Sequence, residues 1–153
     1  AGIELLRSGS SAYRATGSEV WMPQYRGFLA AATELAGHTA EAAALLDDAL
    51  RKVERTGERW YAAELNRHKG ELLLRQGDSG AAEALFGTAL RIAEEQQAKL
   101  WELRAAASLA RLHRANGHRA KARAVLAPVY GWFTEGFATA DLEEAKLLLD
   151  EIG

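Results

Sequence analysis

The sequence predicts an all-α protein, a right-handed superhelical solenoid of antiparallel helix pairs with about eight helices. Gly37, Gly77 and Gly117 are evenly spaced at an interval of 40 (77−37 and 117−77), and the residues around them repeat at the same interval. Ala, Leu, Glu and Arg dominate between these glycines, with apolar residues three or four positions apart, a pattern that indicates amphipathic helices. Only two prolines interrupt the chain. A compact helical bundle is the alternative architecture.

Each unit of the repeat divides into a first and a second helix. Glycine readily adopts the left-handed conformation that ends a helix, so a helix should stop at each of the three turn glycines and a new one should start shortly after. The predicted helices cover residues 2–15, 20–36, 39–56, 59–76, 79–97, 99–116, 119–134 and 140–151. The predicted organisation is a half repeat at 1–17, repeats at 18–57, 58–97 and 98–137, and a C-terminal capping helix at 138–153.

Small and large residues recur at fixed positions of the repeat. The small position of the first helices holds Ala30, Gly70 and Ala110, and the large position of the second helices holds Leu46, Phe86 and Leu126. Packing a large side chain against a small one allows two helix axes to approach to about 8–10 Å. One pair cannot cover its own apolar stripe, so successive pairs should stack and share a core.

Composition excludes several classes of protein. With 153 residues the chain can form one domain with its own core, and with no cysteine it has neither disulfides nor thiolate metal sites. No apolar run approaches the roughly 20 residues that span a bilayer. The net charge of −2, from 19 basic and 21 acidic residues, provides no field that attracts nucleic acid or anionic lipid. We therefore expect a cytoplasmic protein that binds neither nucleic acid nor membrane.

The repeat pattern is already in register near the first residue, because Leu5, Tyr13 and Gly17 match Leu45, Val53 and Gly57. We therefore expect the chain to be a piece of a longer protein. The open edge of the first helix is a candidate surface for homodimerisation. Aromatic residues near the other end either pack the last helix as a cap or form an exposed patch that docks another domain or a second copy; they are Tyr130, Trp132, Phe133 and Phe137.

The middle repeat resembles the tetratricopeptide repeat. The residues that carry the resemblance are Gly70, Gly77, Ala82, Phe86 and Ala89. The family's unit is about 34 residues long and often closes on proline. The period here is longer, at 40, and Glu54 and Glu94 occupy the closing position. The resemblance implies stacked helix pairs whose helices are longer than usual.

Three segments resemble the C-terminal repeat region of large bacterial regulators, in which a cyclase or transcription-factor domain precedes a signal-transduction ATPase and then the repeats. The segments are 55–61, 69–74 and 129–137. This resemblance implies a protein–protein interaction or regulatory module that binds a peptide, a partner protein or another domain of its parent chain. The alternative is a small-molecule sensor that signals to an upstream domain, with Trp21, Tyr61 and Trp101 lining its pocket.

The residues show no familiar catalytic, cofactor-binding or metal-binding pattern. The phosphate-loop, zinc-protease and serine-hydrolase motifs are all absent, so we expect no enzyme. His38, His68, His113 and His118 lack ligand spacing on one helix. Two further pairings have simple explanations. His68 and Glu71 lie one turn apart and are best explained by a surface hydrogen bond or a solvated pair. Glu143 and Glu144 are adjacent and are most simply part of a solvated face.

The candidate binding site follows from the family resemblance. If Gly70 occupies the family's small position, the residues that face the concave side are Gln24, Glu64, Arg67, Glu71, Arg104, Arg111 and Arg114. This face should change from neutral or acidic to basic along the chain, and its arginines suit a peptide carboxylate or a phosphate. Ala31, Glu71 and Arg111 occupy the sites of the asparagine used by the family's carboxylate clamp, which argues against recognition of a C-terminal carboxylate. The alternative is a solvated surface.

Overall fold

A computed structural model describes residues 1–153 and shows eight α-helices without any strand. The all-α prediction and the number of helices are confirmed. The helices are α1 (Gly2–Ala15), α2 (Met22–Leu35), α3 (Thr39–Thr56), α4 (Ala62–Arg75), α5 (Ser79–Glu95), α6 (Lys99–Ala115), α7 (Arg119–Gly131) and α8 (Ala140–Ile152).

The helix ends agree with the predicted ones to within a few residues, and the differences have local causes. α2 begins at Met22 because Trp21 adopts a left-handed conformation, with φ of 70°. α5 ends at Glu95 rather than 97, since Gln97 is also left-handed, with φ of 55°. α7 ends at Gly131 rather than 134.

The turn glycines adopt the predicted conformation, with φ of 85° at Gly37, 91° at Gly77 and 79° at Gly117. After Gly77, the amide of Asp78 donates to the carbonyl oxygen of Leu73 at 3.0 Å, which is the bond that closes a Schellman motif. The Asp78 side chain then accepts a hydrogen bond from the Ala81 amide and caps α5. One short segment therefore ends a first helix and starts a second.

Within a pair, the two helices pack as the small and large positions predict. Ala30 and Ala110 are fully buried, and so are Leu46, Phe86 and Leu126. Gly70 gives the closest approach, because a Cβ atom placed on it would lie 2.6 Å from Cε1 of Phe86. The absence of a side chain at Gly70 therefore makes room for the Phe86 ring.

Contacts between pairs divide the helices into two rows. α2, α4, α6 and α8 contact one another in succession, and we call them the first-helix row. The backbones of α1, α3, α5 and α7 do not approach one another, and each of these helices packs only against first helices. One apolar cluster joins α2 to α5, a second joins α6 to α8, and a smaller third lies between α5 and α6.

The two ends of the chain differ in burial. α8 buries Leu142, Ala145, Leu148 and Ile152, and Tyr130 and Phe133 pack against the same cluster, as expected of a cap. Two other aromatic residues of this region are exposed, Trp132 and Phe137. α1 has no buried residue. None of the eight helices has the length and apolar character required to cross a membrane.

The packing at Gly70 yields a stability prediction. Gly70→Ala gains up to about 1 kcal/mol of helix propensity, but the clash with the buried Phe86 ring costs about 1–3 kcal/mol. We expect a net loss of about 1 kcal/mol in the free energy of unfolding, measured by chemical denaturation.

Gly87→Ala is the matched control, because Gly87 lies within α5 and a Cβ atom placed on it would have no neighbour within 4 Å. It should stabilise the protein by about 0.5–1 kcal/mol. Equal effects of the two substitutions would show that Gly70 has no packing role.

Candidate functional site

The charged residues predicted to face one side lie on the first-helix row and form hydrogen-bonded ion pairs. Glu64 of α4 is the centre of this arrangement and is only 6% exposed. Arg67 donates to its two carboxylate oxygens at 2.9 and 3.2 Å, and Arg104 of α6 donates to it at 3.3 Å. Burial of a carboxylate is costly unless it is paired, and Glu64 has two guanidinium partners.

Arg67 is held in its charged form by these contacts. Burial opposes the charge of the guanidinium, but the hydrogen bonds and attraction from Glu64, with a further contribution from Glu71, outweigh it and raise the pKa of Arg67 above its usual value. Glu71 in turn accepts a hydrogen bond of 2.7 Å from the hydroxyl of Ser108 on α6. Polar contacts therefore connect α4 to α6 at two points.

Arg104 connects three helices of the first-helix row. Besides Glu64 on α4, it contacts Asp141 on α8 through two parallel hydrogen bonds, both of 2.9 Å. The hydrogen bonds to Asp141 are the main reason that the pKa of Arg104 is raised above its usual value. This bidentate geometry is among the strongest that an arginine forms with a carboxylate.

The other two arginines of α6 are also paired with α8. Arg111 donates to Glu144 at 3.0 Å, and Arg114 contacts Glu151. The expected change of this face from acidic to basic is therefore wrong, because acidic residues of α8 compensate the arginines. Glu143 and Glu144 are both exposed, as expected of a solvated face, and Glu144 also pairs with Arg111.

The three carboxylates of α8 were not among the predicted site residues. Asp141, Glu144 and Glu151 are spaced by three and seven residues, and this spacing places them on one face of a helix. That spacing is the signal that could have identified them. To predict that these carboxylates pair with the arginines of α6, one would also need to know how the two helices are rotated relative to each other.

At the other end of the row, Glu34 of α2 is the shared acceptor. Arg75 of α4 donates to it, and His68 Nε2 lies 3.0 Å from its carboxylate. The partner of His68 is therefore Glu34 and not Glu71, with which a surface hydrogen bond or a solvated pair was expected. Partial burial works against ionisation of Glu34, but the hydrogen bonds from His68 and Arg75 prevail and lower its pKa below the usual value.

Two open cavities lie along the first-helix row, and we call them together the groove. The first has a volume of about 280 Å³ and is bordered by Arg67, Arg104, Arg111 and Asp141 over a floor that includes Leu103 and Ala107. The second, of about 240 Å³, lies between α2 and α4 and is bordered by Phe28, Tyr61, Glu64 and Arg67. Arg67 belongs to both.

Four of the seven predicted site residues border the groove, namely Glu64, Arg67, Arg104 and Arg111. The other three, Gln24, Glu71 and Arg114, border neither cavity. Gln24 is half-buried on α2, one helical turn before Gly27 and Phe28, which do line the second cavity.

Aromatic residues form a strip at the start of the first helices. The ring centroids of Trp21 and Trp60 are 4.7 Å apart, those of Trp60 and Trp101 are 6.1 Å apart, and those of Tyr61 and Trp101 are 5.7 Å apart. Glu58 fixes the strip by accepting hydrogen bonds from the Trp21 amide and from Nε1 of Trp60. Trp60 was not among the predicted aromatic residues.

The histidines do not gather into a metal centre. The rings of His113 and His118 meet edge to face with centroids 6.4 Å apart, and no cluster of three or more His, Asp or Glu side chains has the geometry of a metal site.

The groove offers charged and hydrogen-bonding side chains beside apolar residues such as Leu103 and Ala107. Such an arrangement can bind polar ligands.

No protein-family model matches the chain, and no curated protein matches it in sequence.

The bidentate pair of Arg104 and Asp141 should stabilise the fold. In a double-mutant cycle with Arg104→Ala and Asp141→Ala, we expect a coupling energy of about 1–2 kcal/mol, because both groups are partly shielded from water. The measurement is chemical denaturation of the four proteins. The cycle of Lys146 and Asp150, an exposed pair within α8, is the control and should give about 0.3–0.5 kcal/mol. Similar couplings in the two cycles would contradict a special role for Arg104.

The lowered pKa of Glu34 predicts a pH dependence of stability. A carboxyl group whose pKa is lower in the folded state contributes stability at pH values above its unfolded pKa, and this contribution is lost as the pH falls through the folded pKa. Glu34→Gln should therefore be less stable than the parent at neutral pH, and its stability should change less on acidification. Glu54→Gln, at an exposed position of α3, serves as the control and should keep the parent's pH profile, measured by thermal unfolding.

Proposed function

We propose that the chain is a protein–protein interaction module, a tetratricopeptide-like solenoid that binds an extended peptide or a segment of a partner domain in the groove. In this proposal it is the regulatory arm of a larger cytoplasmic signalling protein and performs no catalysis itself. The observation that carries the proposal is the groove, whose two cavities meet at Arg67 and are bordered by residues of α2, α4, α6 and α8.

The contacts between helices support the solenoid. First helices contact one another while the backbones of second helices remain apart, so a stack of such pairs curves with the first-helix row on its inner side. On that reading the groove follows the concave face. The family resemblance is supported by the left-handed conformation of the turn glycines and by the burial of the residues at the small and large packing positions.

The shape and charge of the groove favour a peptide with charges of both signs. Its two cavities are small and open, and they follow one another along the row through Arg67, which suits an extended chain. Each arginine on its border already faces a carboxylate, as Arg104 faces Asp141 and Arg111 faces Glu144. A charged group of a ligand that displaces one member of such a pair leaves the displaced member without its counter-charge. The ligand must therefore also carry a charge of the opposite sign to compensate the displaced group.

A small-molecule sensor is the second candidate, and one local feature favours it. Gly27 allows the Tyr61 ring to pack against α2, because a Cβ atom on Gly27 would lie 3.0 Å from Cε1 of that ring. Phe28 contacts the same ring edge-on, with centroids 5.9 Å apart. A small apolar ligand could enter the second cavity beside these two rings, and the rest of the groove would then remain unused.

The proposal includes self-association through α1. Leu5 is 73% exposed, whereas its repeat equivalents Leu45 and Leu85 are half-buried. α1 has the register of a second helix but packs only against α2. A helix supplied by another copy of the chain would cover this apolar edge.

The test is selection of binders from a library of random dodecapeptides, followed by mapping of the selected peptides through amide chemical shifts. We expect the shifts to lie on α2, α4 and α6. Ala31→Arg, which fills the second cavity, and Arg111→Ala, which removes a border of the first, should each weaken binding at least about tenfold.

Arg91→Ala is the matched control, since Arg91 is exposed on α5 outside the groove. This variant should bind the selected peptides with the same affinity as the parent. Selected peptides whose shifts fall only on α3, α5 or α7 would refute the groove as the binding site. Shifts confined to Gly27, Phe28 and Tyr61 with planar small molecules, and no peptide binding, would favour the sensor.

A further inference from the structure

A separate cleft between α1, α2 and α3 is lined entirely by charged residues. It has a volume of about 310 Å³, and its borders are Arg14 of α1, Arg26 of α2, Arg51, Lys52 and Arg55 of α3, and the carboxylates Glu19 and Asp48. Five basic groups thus face two acidic ones in a chain whose net charge is −2. The cleft lies outside the groove, which has no lining residue in common with it.

The two carboxylates do not neutralise the cleft. Asp48 is shared by Arg26 at 2.6 Å and Arg51 at 3.7 Å. Glu19 is shared by Lys52 at 3.0 Å and Arg55 at 3.4 Å. The hydrogen bond from Lys52, followed by the attraction of nearby basic groups that include Arg14, lowers the pKa of Glu19. An excess of three positive charges therefore remains.

One buried donor of the cleft has no acceptor within the chain. The Nε atom of Arg26 is inaccessible to solvent and makes no hydrogen bond, although the same guanidinium contacts Asp48. A buried donor without a partner costs about 1–3 kcal/mol.

The repeat does not require these basic residues. At the equivalent positions one repeat later, Arg14 becomes Glu54, Arg26 becomes Asn66, Lys52 becomes Ile92 and Arg55 becomes Glu95. Only Arg51 has a basic equivalent, Arg91. The corresponding cleft between α3, α4 and α5 has four basic and two acidic residues in its lining, but it also includes apolar residues such as Leu50, Val53 and Ile92. A lining of charged residues alone, with three more basic than acidic groups, therefore distinguishes the first cleft from the second.

From this geometry we propose that the cleft between α1, α2 and α3 binds a small soluble ligand that carries two or more linked phosphate groups. Arginine's planar group forms paired hydrogen bonds with phosphate oxygens, and basic groups from three helices converge on one open space. A ligand with several negative charges would compensate the charge excess, which a single monoanion would not.

The experiment is calorimetric titration of the chain with sodium pyrophosphate at low salt, together with thermal unfolding in its presence. We expect saturable binding, a higher melting temperature because the ligand binds only the folded state, and weaker binding of inorganic sulfate. Affinity should fall as sodium chloride is added. The absence of saturable pyrophosphate binding would overturn the proposal.

Two double variants with the same change in net charge separate the cleft from a general charge effect. Arg14→Gln with Arg55→Gln removes two exposed basic groups of the cleft and should weaken pyrophosphate binding at least about tenfold. Arg91→Gln with Arg119→Gln removes two exposed basic groups elsewhere and should leave binding within about twofold of the parent. Equal weakening in both variants would overturn the assignment of the site.

The source of the phosphate groups is tested by cosedimentation with phosphatidylglycerol vesicles. A soluble ligand predicts pyrophosphate binding without sedimentation of the chain. Sedimentation with vesicles in the absence of pyrophosphate binding would overturn the proposal in favour of a lipid headgroup. Circular dichroism of each variant establishes that it is folded, so that loss of binding is not loss of structure.

Discussion

The close approach of each first helix to its own second helix is the constraint on which the rest of the structure depends. It requires a small residue at one position, occupied by Ala30, Gly70 and Ala110, so that Leu46, Phe86 and Leu126 can be fully buried. The next equivalent position, one repeat after Ala110, is Asp150. Asp150 is exposed and pairs with Lys146 within α8. α8 therefore lacks, at this position, the small residue that α2, α4 and α6 place against their second helices.

Because the pairs are close, the first helices also approach one another, and their polar faces meet. Glu64 can be buried only because Arg67 and Arg104 both reach it, and the cost of removing the carboxylate from water is offset by these hydrogen bonds. The same pairing leaves the groove without a strong net charge. The cleft between α1, α2 and α3 differs, since its basic groups outnumber its carboxylates. The molecule therefore has one polar surface whose charges are balanced, the groove, and one with an excess of positive charge, the cleft.

The period of the sequence predicts most of the fold, because glycine turns and small packing positions are local properties of the chain. Gly77 and Gly70 could be assigned their roles from spacing alone. The partners of side chains on different helices could not be predicted in this way. His68 contacts Glu34 rather than Glu71, and the arginines of α6 contact α8, because both outcomes depend on how neighbouring helices are rotated. Gln97 is left-handed where the earlier copies have Gly17 and Gly57, which shows that the turn persists without its usual residue.

α2 is the helix that borders both polar surfaces. Arg26 faces the cleft, and the adjacent Gly27 lines the groove beside Tyr61, since successive residues of a helix point about 100° apart. A ligand in the cleft would contact α2 through Arg26 rather than through the Gly27 side that packs against Tyr61. Such a ligand influences the groove only if it favours a different position of α2 against α4, and any such coupling acts equally in both directions. The absence of a side chain at Gly27 places the Tyr61 ring close to the α2 backbone, so even a small shift of α2 changes the space that the second cavity offers.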